Sequence, residues 1–413
     1  MLRAISFLTL ALAVSPAAAV TIDGRVTAST YAFDNSLTDS TSSVDLHSYT
    51  ALRLQVSDLG HRALSLTTYV RGTLERAEST EDNPAAQFYN LFLRFNNRYA
   101  DVRVGRQHVF AGVGAGTIDG ARLDLKRFGV GLTAFGGALM PVDGYAYGSL
   151  SDAYLWGLRL RTDRLLGVNV ALSYADRERE PTEYVSAGKF SGFIGQPQAI
   201  RRQLLGAEAS RRFGRHSIRA RADYDLQNES LRRGEVSTRV GLSAALAVQA
   251  SWRHRQPSIF SGSILSVFPS QGYDEWALRL HYRLAEELTL STHAATVIYD
   301  DDETQRLGVS VAFGRHLTVG YRRYQGYAGG TDGISGSLIY PLGKKLTLRG
   351  DLDLSTFERF EADDSDDLVA VVAALTWRPT REFSLDGQLQ GLRNPSYDTD
   401  VRLLLRGSWR FRK

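Results

Sequence analysis

From Arg215 to Leu226 the chain alternates with a period of two. Ile218, Ala220, Ala222, Tyr224 and Leu226 fall on one side of an extended strand, and Arg219, Arg221, Asp223 and Asp225 fall on the other. The same division returns along the chain. Val236, Thr238, Val240 and Leu242 oppose Ser237, Arg239 and Ser243; Trp276, Leu278, Leu280 and Tyr282 oppose Glu275, Arg279, His281 and Arg283. Leu346, Leu348, Leu352 and Leu354 oppose Arg349, Asp351 and Asp353. In the last segment Val401, Leu403, Leu405, Trp409 and Phe411 oppose Arg402, Arg406, Arg410 and Arg412. Such alternation predicts strands with one apolar and one ionic face. A soluble sandwich would bury faces made partly of Ala, Gly and Thr and leave a very large charged exterior. A closed barrel in a bilayer sets the apolar faces against lipid and the ionic faces around a wet bore. The pattern therefore predicts an all-β fold, a transmembrane antiparallel up-and-down β-barrel of about 22 strands (about 18 to 22) with no plug domain.

The connections alternate in length. A polar stretch from Asp34 to Ser43 precedes a tight reversal at Asp58-Leu59-Gly60-His61, and Ala77 to Ala86 is again long and polar. Short turns are expected at Asn96 to Tyr99, Lys126 to Phe128, Asp163 to Leu166, Gly214 to His216, Gly314 to His316, Pro341 to Lys344 and Pro379 to Arg381. The repeated Gly-Arg-His at 214–216 and 314–316 points to equivalent hairpin turns. The longest connections run over 179–200 and 256–273, and the second is too apolar for a free tip in water. Tight turns at one end and longer loops at the other are the asymmetry of barrels that cross an outer membrane.

The single continuous apolar run lies at the start. Met1-Leu2-Arg3 gives a positive tip, Ile5 to Val14 an apolar segment, and Ala17-Ala18-Ala19 a small-residue cleavage site. Residues 1–19 are thus expected to be a signal peptide and 20–413 the barrel. Mean hydropathy over the chain is negative, which an alternating strand protein produces by averaging its two faces. The 38 glycines and the 37 Tyr and Phe residues suit lipid-facing strands with aromatic belts. The absence of cysteine excludes disulfide frameworks, thiol catalysis and thiolate metal sites. A formal charge of +4 with no Lys/Arg block or aromatic RNA-binding motif gives no indication of nucleic acid.

Candidate chemistry concentrates in two places. The first is Val102-Arg103-Val104-Gly105-Arg106-Gln107-His108, followed by a Gly-rich loop and then Ile118-Asp119-Gly120-Ala121-Arg122-Leu123. Over residues 101–126 this resembles the alginate-export and porin-like outer-membrane families, in which a Gly-Arg-Gln strand end precedes an Asp-Gly-X-Arg strand. The resemblance implies that Val109 to Thr117, the third outer loop, folds inward, with Arg106, Gln107, Asp119 and Arg122 near the constriction. This loop is short and nearly uncharged, unlike an ion-lined eyelet, and a plain outer turn is the alternative.

The second place is the ionic face itself. Arg219, Arg221, Arg239, Arg253, Arg255, Arg279, Arg283, Arg402 and Arg406 fall there, with Glu208, Asp223, Asp225, Glu235, Glu275, Asp351, Asp353 and Asp386. Arginine in a pore favours anions; opposite charges paired across strands would instead stiffen the wall without a net field. The acidic groups at Asp300 to Glu303 and at Asp363, Asp364, Asp366 and Asp367 lack calcium-loop spacing, and neither a His-Glu-X-X-His nor a Gly-X-Ser-X-Gly motif is present.

These features imply a non-enzymatic outer-membrane channel without cofactor or metal, in contact with lipid and lipopolysaccharide, that passes small hydrophilic, anionic solutes. A second reading is an export conduit or scaffold for an acidic polysaccharide or a periplasmic partner. A soluble secreted β-protein is the third. Protein recovered from the cell envelope is expected to begin at Val20 on N-terminal sequencing; a start at Met1 would make the leading segment a retained anchor.

Overall fold

A computed structural model describes residues 20–35, 43–75, 86–141, 148–165, 167–179, 200–257, 271–326, 329–358, 365–394 and 397–413. The leading segment, the acidic pair Asp363-Asp364 and most of the connections 179–200 and 256–273 lie outside the described residues. The strands are β1 (Thr21–Asn35), β2 (Ser43–Ser57), β3 (Leu64–Glu75), β4 (Ala86–Asn96), β5 (Ala100–Ala111), β6 (Gly114–Arg127), β7 (Val130–Leu139) and β8 (Ala153–Leu165). There follow β9 (Val168–Arg179), β10 (Ile200–Phe213), β11 (His216–Asp225), β12 (Ser230–Gly241), β13 (Leu246–Arg255), β14 (Tyr273–Ala285) and β15 (Leu288–Ile298). The last seven are β16 (Glu303–Phe313), β17 (Leu317–Gly326), β18 (Gly329–Pro341), β19 (Leu346–Glu358), β20 (Ser365–Trp377), β21 (Phe383–Asn394) and β22 (Tyr397–Arg412).

Each strand pairs antiparallel with its neighbours in sequence, and β1 pairs with β22 from Asp23↔Arg412 to Phe33↔Arg402. The sheet is therefore closed, a 22-stranded up-and-down barrel. Turns of two and three residues join long strands at one end: Gly214 and Gly314 take φ of 58° and 55° in the two Gly-Arg-His turns, a left-handed conformation that glycine adopts without steric cost.

Register sorts side chains into the two faces that the alternation predicts. Trp409 opposes Val26, Leu278 opposes Ala250 and Ala294, and Leu307 opposes Ala294. Leu158, Leu160, Leu278, Leu307 and Val309 stand exposed on this side, as do Trp156, Trp276, Trp377 and Trp409 nearer the strand ends. Large apolar residues left open on a continuous outer surface, with indoles toward its rims, are what hydrocarbon and its interfaces cover. Glu208↔Arg221↔Glu235↔Arg253↔Glu275 runs across five strands on the other side.

With strands about 4.8 Å apart and tilted by about 40°, 22 of them close to a diameter on the order of 40 Å between backbones. The bore is wide unless something enters it.

Val309 and Ser310 are neighbours on opposite faces of β16, which gives a direct test of sidedness. Val309→Arg should cost about 2–4 kcal/mol if it meets lipid, whereas Ser310→Arg should stay within about 0.5 kcal/mol. Urea unfolding of the barrel in phospholipid vesicles measures both, and equal costs would reject the assignment of faces.

Candidate functional site: a hairpin inside the bore

The element that enters is the β5–β6 hairpin. β5 pairs with β4 only from Asp101 to Arg106, and β6 pairs with β7 only from Ile118 to Arg127. The two strands stay paired with each other to Ala111↔Gly114. Residues 107–116 thus leave both neighbours as a ribbon paired only with itself. The departure starts at Gly105, whose φ is 122° and where a Cβ would lie 2.4 Å from the carbonyl oxygen of Leu91. Only glycine fits both that backbone and that approach.

The tip reaches far around the wall. Val113 N donates to Ser173 Oγ of β9 at 3.2 Å, and Arg221 Nη2 of β11 donates to the Gly112 carbonyl at 3.4 Å. A Cβ on Gly112 would sit 2.2 Å from Ser173 Oγ, so the tip lies directly on the wall. Ser173, Arg159 and Arg221 belong to the ionic face, since Ser173 pairs with Arg159 and Arg221 with Glu208. A ribbon against that face of a closed barrel is inside it. Its inner side packs dry: Val109, Ala111 and Ile118 meet Phe135, Leu139, Leu155 and Ala175, with Val109 and Ile118 fully buried. This small apolar core explains why β7, β8 and β9 carry apolar residues on both faces. Phe110 points the other way and is 66% exposed.

At the root of the hairpin Arg106 and Asp119 stand opposite each other, joined by two bonds of 2.7 Å, Nε to Oδ1 and Nη2 to Oδ2. Arg106 Nη1 also donates to the Phe88 carbonyl at 3.3 Å, and Asp119 Oδ2 accepts from Gly148 N at 2.8 Å. The pair is nearly buried and shares the register side of Val104 and Ala121, away from Arg103 and Arg122. It ties β4 and the segment before β8 together behind the departing ribbon. Gln107, also buried, donates to the carbonyls of Arg103 and Gly120 at 3.3 and 3.4 Å. Arg122 falls on the ionic face and pairs with Asp124 at 2.7 Å. Of the four constriction candidates, three hold the hairpin's root and one faces the bore.

Beside the ribbon lies a cavity of about 450 Å³ that Phe110 and Ala111 share with Arg94, Arg98, Arg103, Arg122, Lys126, Arg159 and Arg161; its carboxylates are Asp101 and Asp124. A second, of about 360 Å³, continues it through Arg159, Arg161, Arg219, Arg221 and Arg233 with Glu208 and Glu235. Pairing neutralises part of this charge: Asp101 binds Arg94 at 2.8 Å and Arg103 at 2.7 Å, and Glu208 binds Arg159 at 2.8 Å and Arg221 at 3.3 Å. Arg161 and Arg219 have no carboxylate partner among the described residues.

The remaining predicted residues fall on the same register face in two groups. Arg221, Arg253, Arg402 and Arg406 are ion-paired, to Asp223 (3.0 Å), Glu275 (3.4 Å), Asp400 (2.5 Å) and Asp386 (3.6 Å). Arg219, Arg239, Arg279 and Arg283 have no carboxylate partner among the described residues, and Arg239 and Arg279 flank Gln249 in one row. Asp225 is spent on the turn after β11, where Oδ1 accepts from Gln227 N and Asn228 N. Arg159, Arg161 and Ser173 take part without having been singled out in the sequence. The Leu-Arg-Leu-Arg of residues 158–161 was the available signal for the two arginines.

A closed membrane barrel with a ribbon folded into a charged bore is an outer-membrane channel of porin type. A profile of the Gram-negative porin family matches residues 4–359, and the chain belongs to that family. Of the resemblance read at residues 101–126, this supports the porin half. No curated protein matches the sequence. Among solved structures, a variant of the ferric enterobactin receptor PfeA from Pseudomonas aeruginosa aligns with a TM-score of 0.57 at 8% identity, over 94% of this chain and 80% of that one. OpdQ from the same organism aligns at 0.41 and 10% identity over 95% and 97%, and a BenF-like porin from Pseudomonas fluorescens Pf-5 at 0.42 and 8% over 94% and 99%. At these identities the likeness concerns the fold alone. The protein is a non-enzymatic outer-membrane porin, set among the membrane and lipopolysaccharide.

Arg106→Met leaves a buried Asp119 without its cation and should destabilise the barrel by about 3–5 kcal/mol, while adding Asp119→Leu should recover much of the loss. Urea midpoints read both. Single-channel conductance should rise in Arg106→Met and in Gly112→Val as the ribbon lets go; unchanged conductance in both would mean that it does not narrow the bore.

Proposed function

We propose that the mature chain, residues 20–413, is a passive diffusion channel for small hydrophilic, anionic solutes. The observation that supports the preference is the charge beside the inserted ribbon, where cationic side chains outnumber carboxylates and Arg161 and Arg219 have no carboxylate partner among the described residues. The ribbon has no Asp, Glu, Lys or Arg between residues 107 and 117, so it acts on passage by its bulk. The wall opposite its tip supplies the field. In a narrow, partly desolvated passage a few uncompensated guanidinium groups raise the local concentration of anions and lower that of cations. Flow follows the solute gradient.

The test is the reversal potential of reconstituted channels in asymmetric KCl. It should have the sign of chloride preference, and Arg219→Glu with Arg221→Glu should reverse it. Potassium preference in the unaltered protein would reject anion selectivity and leave the porin itself in place.

A further inference from the structure

Many lumenal arginines have an acid within reach, but in one row across β22, β1 and β2 arginine stands against arginine. Arg25 lies directly opposite Arg410 on one side and Arg53 on the other. Arg53 in turn faces Tyr69, which faces Asn90. Three guanidinium groups thus occupy one row across three neighbouring strands. Directly opposed residues are about 5 Å apart at Cβ, and like charges placed so are destabilising.

One carboxylate residue borders the row at its β21 end, Glu382, whose backbone carbonyl accepts from Arg410 N at 2.8 Å, but its side chain makes no ion pair among the described residues. Among the described residues Arg25, Arg53 and Arg410 have no carboxylate partner; Arg25 donates only to Ser408 Oγ, at 3.4 Å. Asp23 is one row below, opposite Arg412 and Gln55, and forms no ion pair with the row. One row above, Arg71 is placed by aromatic faces rather than by an acid, with its guanidinium carbon 5.2 Å from the ring centres of both Tyr49 and Tyr89. Its Nε is buried without a hydrogen-bond partner. A cavity of about 520 Å³ is lined by Arg25, Arg53, Arg71 and Arg406 together with Tyr69 and Asn90, and no carboxylate lines it.

We propose that this arc is a binding station for a multiply charged phosphate-type oxyanion, separate from the basic space beside the hairpin. A single chloride leaves most of the row's repulsion in place. A phosphate ester or pyrophosphate carries two or more negative charges, and its oxygens can bridge neighbouring guanidinium groups, each of which presents a planar pair of donors. The hydroxyl of Tyr69 and the amide of Asn90 add neutral donors at the edge. Delivery of the ion rests on the channel function proposed above; binding does not.

Pyrophosphate titrated into the detergent-solubilised full-length barrel by calorimetry is the direct test. The expected result is saturable binding that weakens at least tenfold in Arg25→Gln with Arg53→Gln and is unaltered in Arg349→Gln, an exposed arginine elsewhere on the wall. Arg53→Lys, which keeps the charge and loses the planar pair of donors, should fall between, and it serves if the double variant does not fold. In planar bilayers millimolar pyrophosphate should depress the chloride current of the unaltered channel and spare that of the double variant. Absence of binding to the unaltered barrel, or equal affinity in the double variant, would overturn the station. Binding by a channel that prefers potassium would keep the station and overturn the anion-selective function.

Discussion

Hydrocarbon offers no partner to a backbone N–H or C=O, so a sheet that crosses a membrane has to close on itself. Here closure is the pairing of β1 with β22, and it continues past the strands, where Ile22 N donates to the Lys413 carbonyl and Lys413 N to that of Ile22. Once the backbone is satisfied all round, alternation decides the rest. Side chains of one parity meet lipid and those of the other meet water. The ionic row from Glu208 to Glu275 exists because an enclosed aqueous bore solvates charges that the outer surface would not tolerate.

Closure with 22 strands creates the next problem, a bore too wide to discriminate among small solutes. The β5–β6 ribbon answers it with apolar packing inside a polar space. Ile118, Val109 and Leu155 are almost completely buried within a few residues of the half-buried Arg122, Arg103 and Arg159. Water would compete for a ribbon held by charges alone, whereas a small dry core excludes it. The bidentate Arg106–Asp119 pair is kept from solvent at the root, where its geometry and its extra bonds to Phe88 and Gly148 offset the cost of desolvation.

The fold was legible because a period of two needs no knowledge of partners. The strands, the short turns and the parity of Arg219, Arg239 and Arg279 follow from local pattern. Arg106, Gln107, Asp119 and Arg122 were legible as a group around a glycine-rich reversal. Their division between root and bore was not, since it depends on where β5 leaves β4 and β6 leaves β7. Leu155 shows the same limit: its strand reads Tyr-Leu-Trp-Gly-Leu-Arg, apolar on both faces, and only the distant ribbon explains the inward leucine. The row of Arg410, Arg25 and Arg53 joins residues from the two ends of the chain. No local signal places residue 410 beside residue 25; only closure does.

That seam carries opposing forces on its two faces. Inside, Arg410 and Arg25 repel, as do Arg25 and Arg53, each contact at the level of about 0.2–1 kcal/mol for an exposed cross-strand pair. Outside, the Phe411 ring covers Gly24, where any Cβ would strike it, and stacks obliquely on Trp409 with centroids 5.1 Å apart. An aromatic pair is worth about 0.5–1.5 kcal/mol beyond its buried area, and the backbone ladder from Asp23 to Phe33 adds to it. The backbone ladder across the seam therefore outweighs the repulsion, and the barrel closes with Arg25 and Arg53 without a carboxylate partner among the described residues. A glycine at residue 24 is what lets the aromatic lie flat across the seam. The aromatic cover over Gly24 and the start of the guanidinium row thus fall on opposite faces of the same seam.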